Sequence, residues 1–108
     1  MITYTTNSYG LRQKDMDYMS RLFESEPAIE KVILFGSRAT GRFEKGSDID
    51  LALLGTQISS TDIARISHLL NEESPTLLGF DILKYDTLKN EALIAEISKH
   101  GQVIYSQP

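Results

Sequence analysis

Neither cysteine nor tryptophan occurs in these 108 residues, and proline occurs only three times. Without cysteine there can be no disulfide framework and no thiolate metal site, and nothing speaks for an oxidising compartment, so the cytoplasm is the expected location. Long apolar runs are missing too. The uninterrupted ones are only a few residues long, far below the roughly 20 needed to span a bilayer. The stretch Met1 to Gly10 is polar and has no apolar segment of the kind a signal peptide carries. Neither a membrane span nor a leader is expected. A basic surplus is also absent: eleven Lys and Arg stand against fifteen Asp and Glu, a net charge of −4. That balance argues against holding duplex nucleic acid by an overall positive field. The tyrosines are scattered and form no stacking platform for bases, and no lysine follows a glycine-rich loop in the manner of a P-loop.

The length suits one domain, residues 1–108, able to bury roughly 65% of its unfolded surface in a single core. Leu11, Met16, Met19, Leu22 and Phe23 recur at helical spacing and predict a first helix over about Gln13 to Ser25, stopped at Glu26 and Pro27. Ile29 to Phe35 reads as a strand buried on both faces. Gly36 and Ser37 break it. Arg38 to Gly41 is predicted as a short helical turn, Arg42 to Ser47 as a polar loop and Asp48 to Leu54 as a second strand. Ser59 and Asp62 form a capping box for a helix with Ile63, Ile66, Leu69 and Leu70 on one face, fading near Glu73 and Pro75. Leu77 to Tyr85 is the third strand. Asp86 or Thr87 is expected to cap a last helix carrying Leu88, Ala92, Ala95 and Ile97. Lys99 and His100 fall in its final turn, Gly101 at its left-handed end position, and Gln102 to Tyr105 closes as a strand. The order α-β-α-β-α-β-α-β, without repeats or linkers, implies an α/β (α+β) domain with helices packed on a small sheet.

Within that pattern the acids are out of place. In Asp48, Ile49, Asp50, Leu51, Ala52, Leu53 the strand period puts the three large apolar residues on one face and both carboxylates on the other. Asp81 stands alone in the third strand's apolar stretch, where an unpaired buried carboxylate is costly; it meets a cation or is salt-bridged. Two carboxylates about 4 Å apart repel by about 4 kcal/mol at an effective dielectric of 20, so such a cluster calls for a cation, and oxygen ligands favour Mg²⁺ or Mn²⁺. Gly36 lets backbone approach a phosphate, with the Ser37 hydroxyl and nearby N–H groups as donors. Arg38 and Arg42 can add charge-assisted bonds, whereas Lys45 reads equally as a solvated loop charge. Gly79 leaves space beside the acids or marks a bulge. His68, on a helix, and His100, at a helix end, read as structural or solvent-facing.

Gly36, Ser37, ten residues, Asp48, Ile49, Asp50 and the distal Asp81 resemble the G-S-x10-D-x-D pattern of the polymerase-β-like nucleotidyltransferase superfamily. The likeness to its minimal nucleotidyltransferases, the MNT family, extends to Gly10, Leu11 and to the ending Glu96 to Tyr105, almost the whole chain. The resemblance implies the polymerase-β-like fold and Mg²⁺-dependent transfer of a nucleoside monophosphate, most plausibly AMP from ATP, to a hydroxyl with release of pyrophosphate. It implies that Gly36 and Ser37 hold the β- and γ-phosphates and that Asp48 and Asp50 ligate metal. Asp81 then ligates a second metal and orients or deprotonates the hydroxyl, and Arg38 and Arg42 spread phosphate charge. Many members carry a second arginine where this chain has Thr40, so the missing charge would have to come from Arg42. The family implies a small helical HEPN-domain partner, with the chain as the antitoxin-like half of a pair. The alternatives are a non-catalytic module that binds such a partner by contact alone, and a phosphoacceptor receiver domain, whose acids would end different strands. The helix faces suit a homodimer or a heteromer equally.

Overall fold

The apolar spacing of the first helix becomes a buried seam in the computed structural model, which describes residues 6–108; Met1 to Thr5 of the polar lead lie outside the described residues. Helix α1 (Gln13–Glu24) buries Met19 and Phe23. It also buries Asp15, whose carboxylate is held by the Arg12 guanidinium through two bonds of 3.2 Å. Strand β1 (Lys31–Phe35) leads through Gly36 into the short helix α2 (Ser37–Thr40). Strand β2 (Ile49–Leu54) returns antiparallel to β1, pairing Phe35 with Asp50. The capping box forms as expected: Ser59 Oγ accepts the Asp62 N–H at 3.0 Å, and Asp62 accepts the Ser59 N–H at 2.9 Å. It opens α3 (Ser60–His68), which continues as a π-helical segment, Leu69–Glu73. A crossover through α3 is what allows β3 (Phe80–Lys84) to run parallel to β2. Helix α4 (Glu91–His100) and β4 (Gln102–Ser106) complete a mixed sheet in the order β3-β2-β1-β4.

The sheet separates two unequal cores. Val32, Leu34, Ile49, Leu51, Leu53 and Phe80 face α1 and α3 with Phe23, Ile66 and Leu70. The opposite face carries a thinner cluster, Phe35, Ala52 and Ile97 with Ile33, Leu83, Tyr85, Leu88 and Leu93, to which α4 contributes Ile97 and Leu93. Among the described residues, no helix is long and apolar enough to cross a membrane.

Three local expectations are corrected. The third strand starts at Phe80 rather than Leu77; Leu77 is fully exposed and Thr76 Oγ1 binds the Leu78 N–H at 3.1 Å, making a turn there. The residues expected to cap the last helix form a 3₁₀ turn, Tyr85–Thr87, and the cap is Asn90, whose Oδ1 accepts the Leu93 N–H at 3.1 Å. Asp86 instead accepts the Gly55 N–H. Gly101 ends α4 in an extended conformation, φ −65°, not a left-handed one. It is required for space, because a Cβ there would overlap the Ile97 carbonyl and the Ile33 side chain.

Candidate active site

The antiparallel and parallel ladders line up Phe35, Asp50 and Asp81 as one row across three strands. The period of two places this row on the thin face, while Ile49 and Leu51 turn into the larger core. Asp48 lies just before β2, and its carboxylate leans over Gly79: a Cβ on Gly79 would sit 2.9 Å from Asp48 Oδ1. The space that Gly79 leaves is therefore filled by a carboxylate, and the ladder between β2 and β3 runs without a bulge.

Gly36 takes φ +76°, in the region that side chains disfavour, and a Cβ there would overlap Asp50 Oδ2. Glycine is thus demanded twice, by its backbone and by the carboxylate lying against it. Ser37 follows as the first residue of α2, half-buried beside the row.

Among the described residues none of Asp48, Asp50 and Asp81 enters an ion pair. Burial pushes the Asp50 carboxyl above the ordinary carboxylate range, and the charges of Asp81 and Asp48 push it the same way. Asp81 is exposed on the edge strand, so the cost expected from burying it falls on half-buried Asp50 instead. Nor do the acids form a closed cage: among the described residues, no three acidic or imidazole side chains gather around one metal position. Such openness fits Mg²⁺, which keeps its waters and is commonly held by one or two carboxylates plus substrate phosphates. Asp48 with Asp50, and Asp50 with Asp81, are the two pairs that could each hold an ion.

Of the two arginines, Arg38 departs from expectation. Arg38 was expected to bind phosphate, yet it is only 2% exposed. Its Nε and Nη2 donate to the Ser47 carbonyl at 3.0 and 2.8 Å, and its Nη1 to the Tyr9 carbonyl at 3.0 Å. Its guanidinium also lies 4.9 Å from the centre of the Phe43 ring. Burial lowers its pKa while Asp48 opposes that shift. Arg38 thus ties the polar loop 42–47 and the turn at Gly10 to α2. No feature of the sequence distinguishes it from an arginine facing solvent. Arg42, by contrast, is exposed, and among the described residues no ion pair engages it. Thr40, standing where many members of the resembled family carry arginine, spends its hydroxyl on the Ser37 and Gly36 carbonyls at 3.3 and 3.4 Å.

Sequence reasoning also missed Asn71. Its side chain engages Phe80 at the start of β3, accepting the N–H at 2.8 Å and donating to the carbonyl at 3.2 Å. Nothing in the helical pattern marks an exposed asparagine as a strand partner.

Residues 18–108 match the family described as polymerase beta, nucleotidyltransferase. No curated protein matches the chain. Among solved structures, it is similar to a chain of a toxin–antitoxin complex with AMP-PNP, at 18% identity and TM-score 0.72, over 86% of this chain and 74% of that one. A chain of the MntA-HepT toxin–antitoxin gives 16% identity and TM-score 0.66, with 89% and 74% covered. A complex of the tri-AMPylated Shewanella oneidensis HEPN toxin with its MNT antitoxin gives 16% and 0.66, with 88% and 72% covered. At these identities the likeness establishes the fold, a mixed sheet flanked by helices.

Proposed function

We propose, from the premise that this chain belongs to the polymerase β nucleotidyltransferase family, that it transfers AMP from ATP to a hydroxyl of a HEPN-domain partner. In this reading residues 1–108 act as one nucleotidyltransferase domain, in the cytoplasm, as the antitoxin-like half of a pair. The observation that carries it is the group of carboxylates Asp48, Asp50 and Asp81, none of them in an ion pair among the described residues, with Asp50 lying against the Gly36 turn.

The acceptor oxygen attacks the α-phosphorus, the bond to the bridging oxygen breaks, and pyrophosphate leaves with that electron pair. Asp81, exposed and facing solvent, orients the hydroxyl and takes its proton. Asp48 and Asp50 would hold Mg²⁺ or Mn²⁺, and Asp81 with Asp50 would hold a second ion. Bound there, the ions would stabilise the charge on the entering and leaving oxygens. Gly36 and Ser37 receive the β- and γ-phosphates, and Arg42 supplies the positive charge that Arg38 cannot turn outward. Arg38 contributes by holding the loop that carries Arg42 and leads to Asp48. The neighbouring complexes containing AMP-PNP and an AMPylated HEPN toxin support the choice of nucleotide and acceptor.

The test is to incubate the chain with ATP, Mg²⁺ and the HEPN-domain protein purified with it from the native host, and to read intact masses. A partner heavier by whole AMP units with the wild type, and unchanged with Asp50→Ala, is the expected result. A partner that stays bound at unchanged mass in both would replace transfer by neutralisation through contact.

A further inference from the structure

Strand β3 is an edge strand: β2 covers one side and, among the described residues, no strand covers the other. Gly79 gives its carbonyl to the Ile49 N–H of β2 at 2.8 Å, while Phe80 turns both backbone groups the other way, onto the Asn71 amide at 2.8 and 3.2 Å. One side chain therefore replaces the missing strand at a single residue, immediately before Asp81. The amide is itself held, since its Nδ2 also donates to the Ser67 carbonyl at 2.9 Å. Asn71 lies in the π-helical segment Leu69–Glu73, and Tyr18 of α1 donates its hydroxyl to the Leu69 carbonyl there at 3.1 Å. Single π turns of this kind recur at functional sites. A Cβ on Gly79 would lie 2.9 Å from Asp48 Oδ1 and 4.0 Å from Asn71 Oδ1. Asn71 and Asp48 thus flank one residue, with Asp81 two positions on.

We infer that Asn71 is a positioning residue: by gripping Phe80 it sets where Asp81 stands relative to Asp50, and so sets the divalent-ion affinity of the β3 end of the carboxylate row. This rests on the reading of Asp81 as a metal ligand. A mere cap on a sheet edge would affect stability and leave ion affinity alone, which separates the two roles. Groups that orient ligands from behind typically change affinity by roughly 10- to 100-fold when removed.

The experiment titrates the ¹⁵N-labelled chain with Mn²⁺ alone and follows paramagnetic broadening of the amides of residues 80–82 and 48–50. Asn71→Ala is expected to move the midpoint at residues 80–82 to roughly tenfold higher Mn²⁺, with a smaller shift at Asp48. Asn71→Gln, which keeps the amide but displaces it by one methylene, moves the midpoint in the same direction and guards against a failure of the alanine variant to fold. Arg65→Ala, which loosens α3 elsewhere, leaves both midpoints in place. An unchanged midpoint at residues 80–82 in either folded Asn71 variant overturns the inference if Asp81→Asn does shift it. If Asp81→Asn leaves that midpoint in place, the metal role of Asp81 falls and the inference falls with it.

Discussion

At the end of the sheet where β1 begins and β2 finishes, acidic groups have partners. Glu26 and Asp62 grip Arg65 from two sides, Glu30 accepts the Thr56 N–H at 3.0 Å and Asp86 accepts the Gly55 N–H at 3.4 Å. At the opposite end, where β1 finishes and β2 and β3 begin, Asp48, Asp50 and Asp81 face one another with no ion pair among the described residues. The buried guanidinium on that side, Arg38, is spent on backbone carbonyls. Charges that hold the fold together are neutralised within the chain, and charges left facing each other wait for a counter-ion from outside.

Asp50→Asn breaks the contrast most directly. It is expected to lower nucleotidyl transfer by about 10³-fold or more, since ion-bound charge is worth several kcal/mol in the transition state. The fold should survive, because removing one of three mutually repelling carboxylates relieves strain; a radioactive transfer assay beside a thermal melt checks both. An unfolded Asp50→Asn would make the row structural.

Arg38→Met tests the other half of the pairing logic. Losing charged donors to the Ser47 and Tyr9 carbonyls should cost about 2–3 kcal/mol, read by urea unfolding, and transfer should fall as the loop loses its anchor. Gly36→Ala should cost about 1–2 kcal/mol for a side chain at positive φ, and should also reduce transfer by displacing Asp50.

The fourth prediction concerns pH. A carboxyl whose folded pKa is raised above its ordinary value of 3.8 favours the fold below that value and loses this contribution as pH rises through the folded pKa. Without divalent ions, the melting advantage of Asp50→Asn over the wild type should therefore be small below the ordinary value and grow as pH climbs toward neutrality. Adding Mg²⁺ at neutral pH should shrink it. An advantage independent of pH would mean that neither burial nor the charges of Asp81 and Asp48 raise the Asp50 carboxyl. The smallest effect is expected for Arg65→Ala: its two ion pairs, with Glu26 and Asp62, lie at the surface and contribute little, so the melting point should drop slightly and transfer should stay unchanged.

Much of this was legible from residue order. The alternation around Asp48 and Asp50, the capping box at Ser59 and the run from Val32 to Phe35 each specify their element through side-chain period and local hydrogen bonding, which act over a few residues. Gly36 and Gly79 were readable as places needing room, because glycine is the residue type that supplies it. Asn90 was not readable as a cap, since Asp86 and Thr87 had equally suitable side chains nearby. The choice was settled by a 3₁₀ turn that carries the chain toward α4.

Local pattern specified most of the helices and strands, the grouping of two carboxylates on one strand face and the family to which the chain belongs, because each depends on residues close together in the chain. Packing settled the rest. It put Asp81 opposite Asp50 through the parallel register of β2 and β3. It buried Arg38 against carbonyls contributed by residues as distant as Tyr9, and it left Arg42 to solvent. Two arginines four positions apart carry the same charge and differ in fate because burial and partner geometry are properties of the packed chain, to which a residue's identity and its neighbours in sequence are nearly blind.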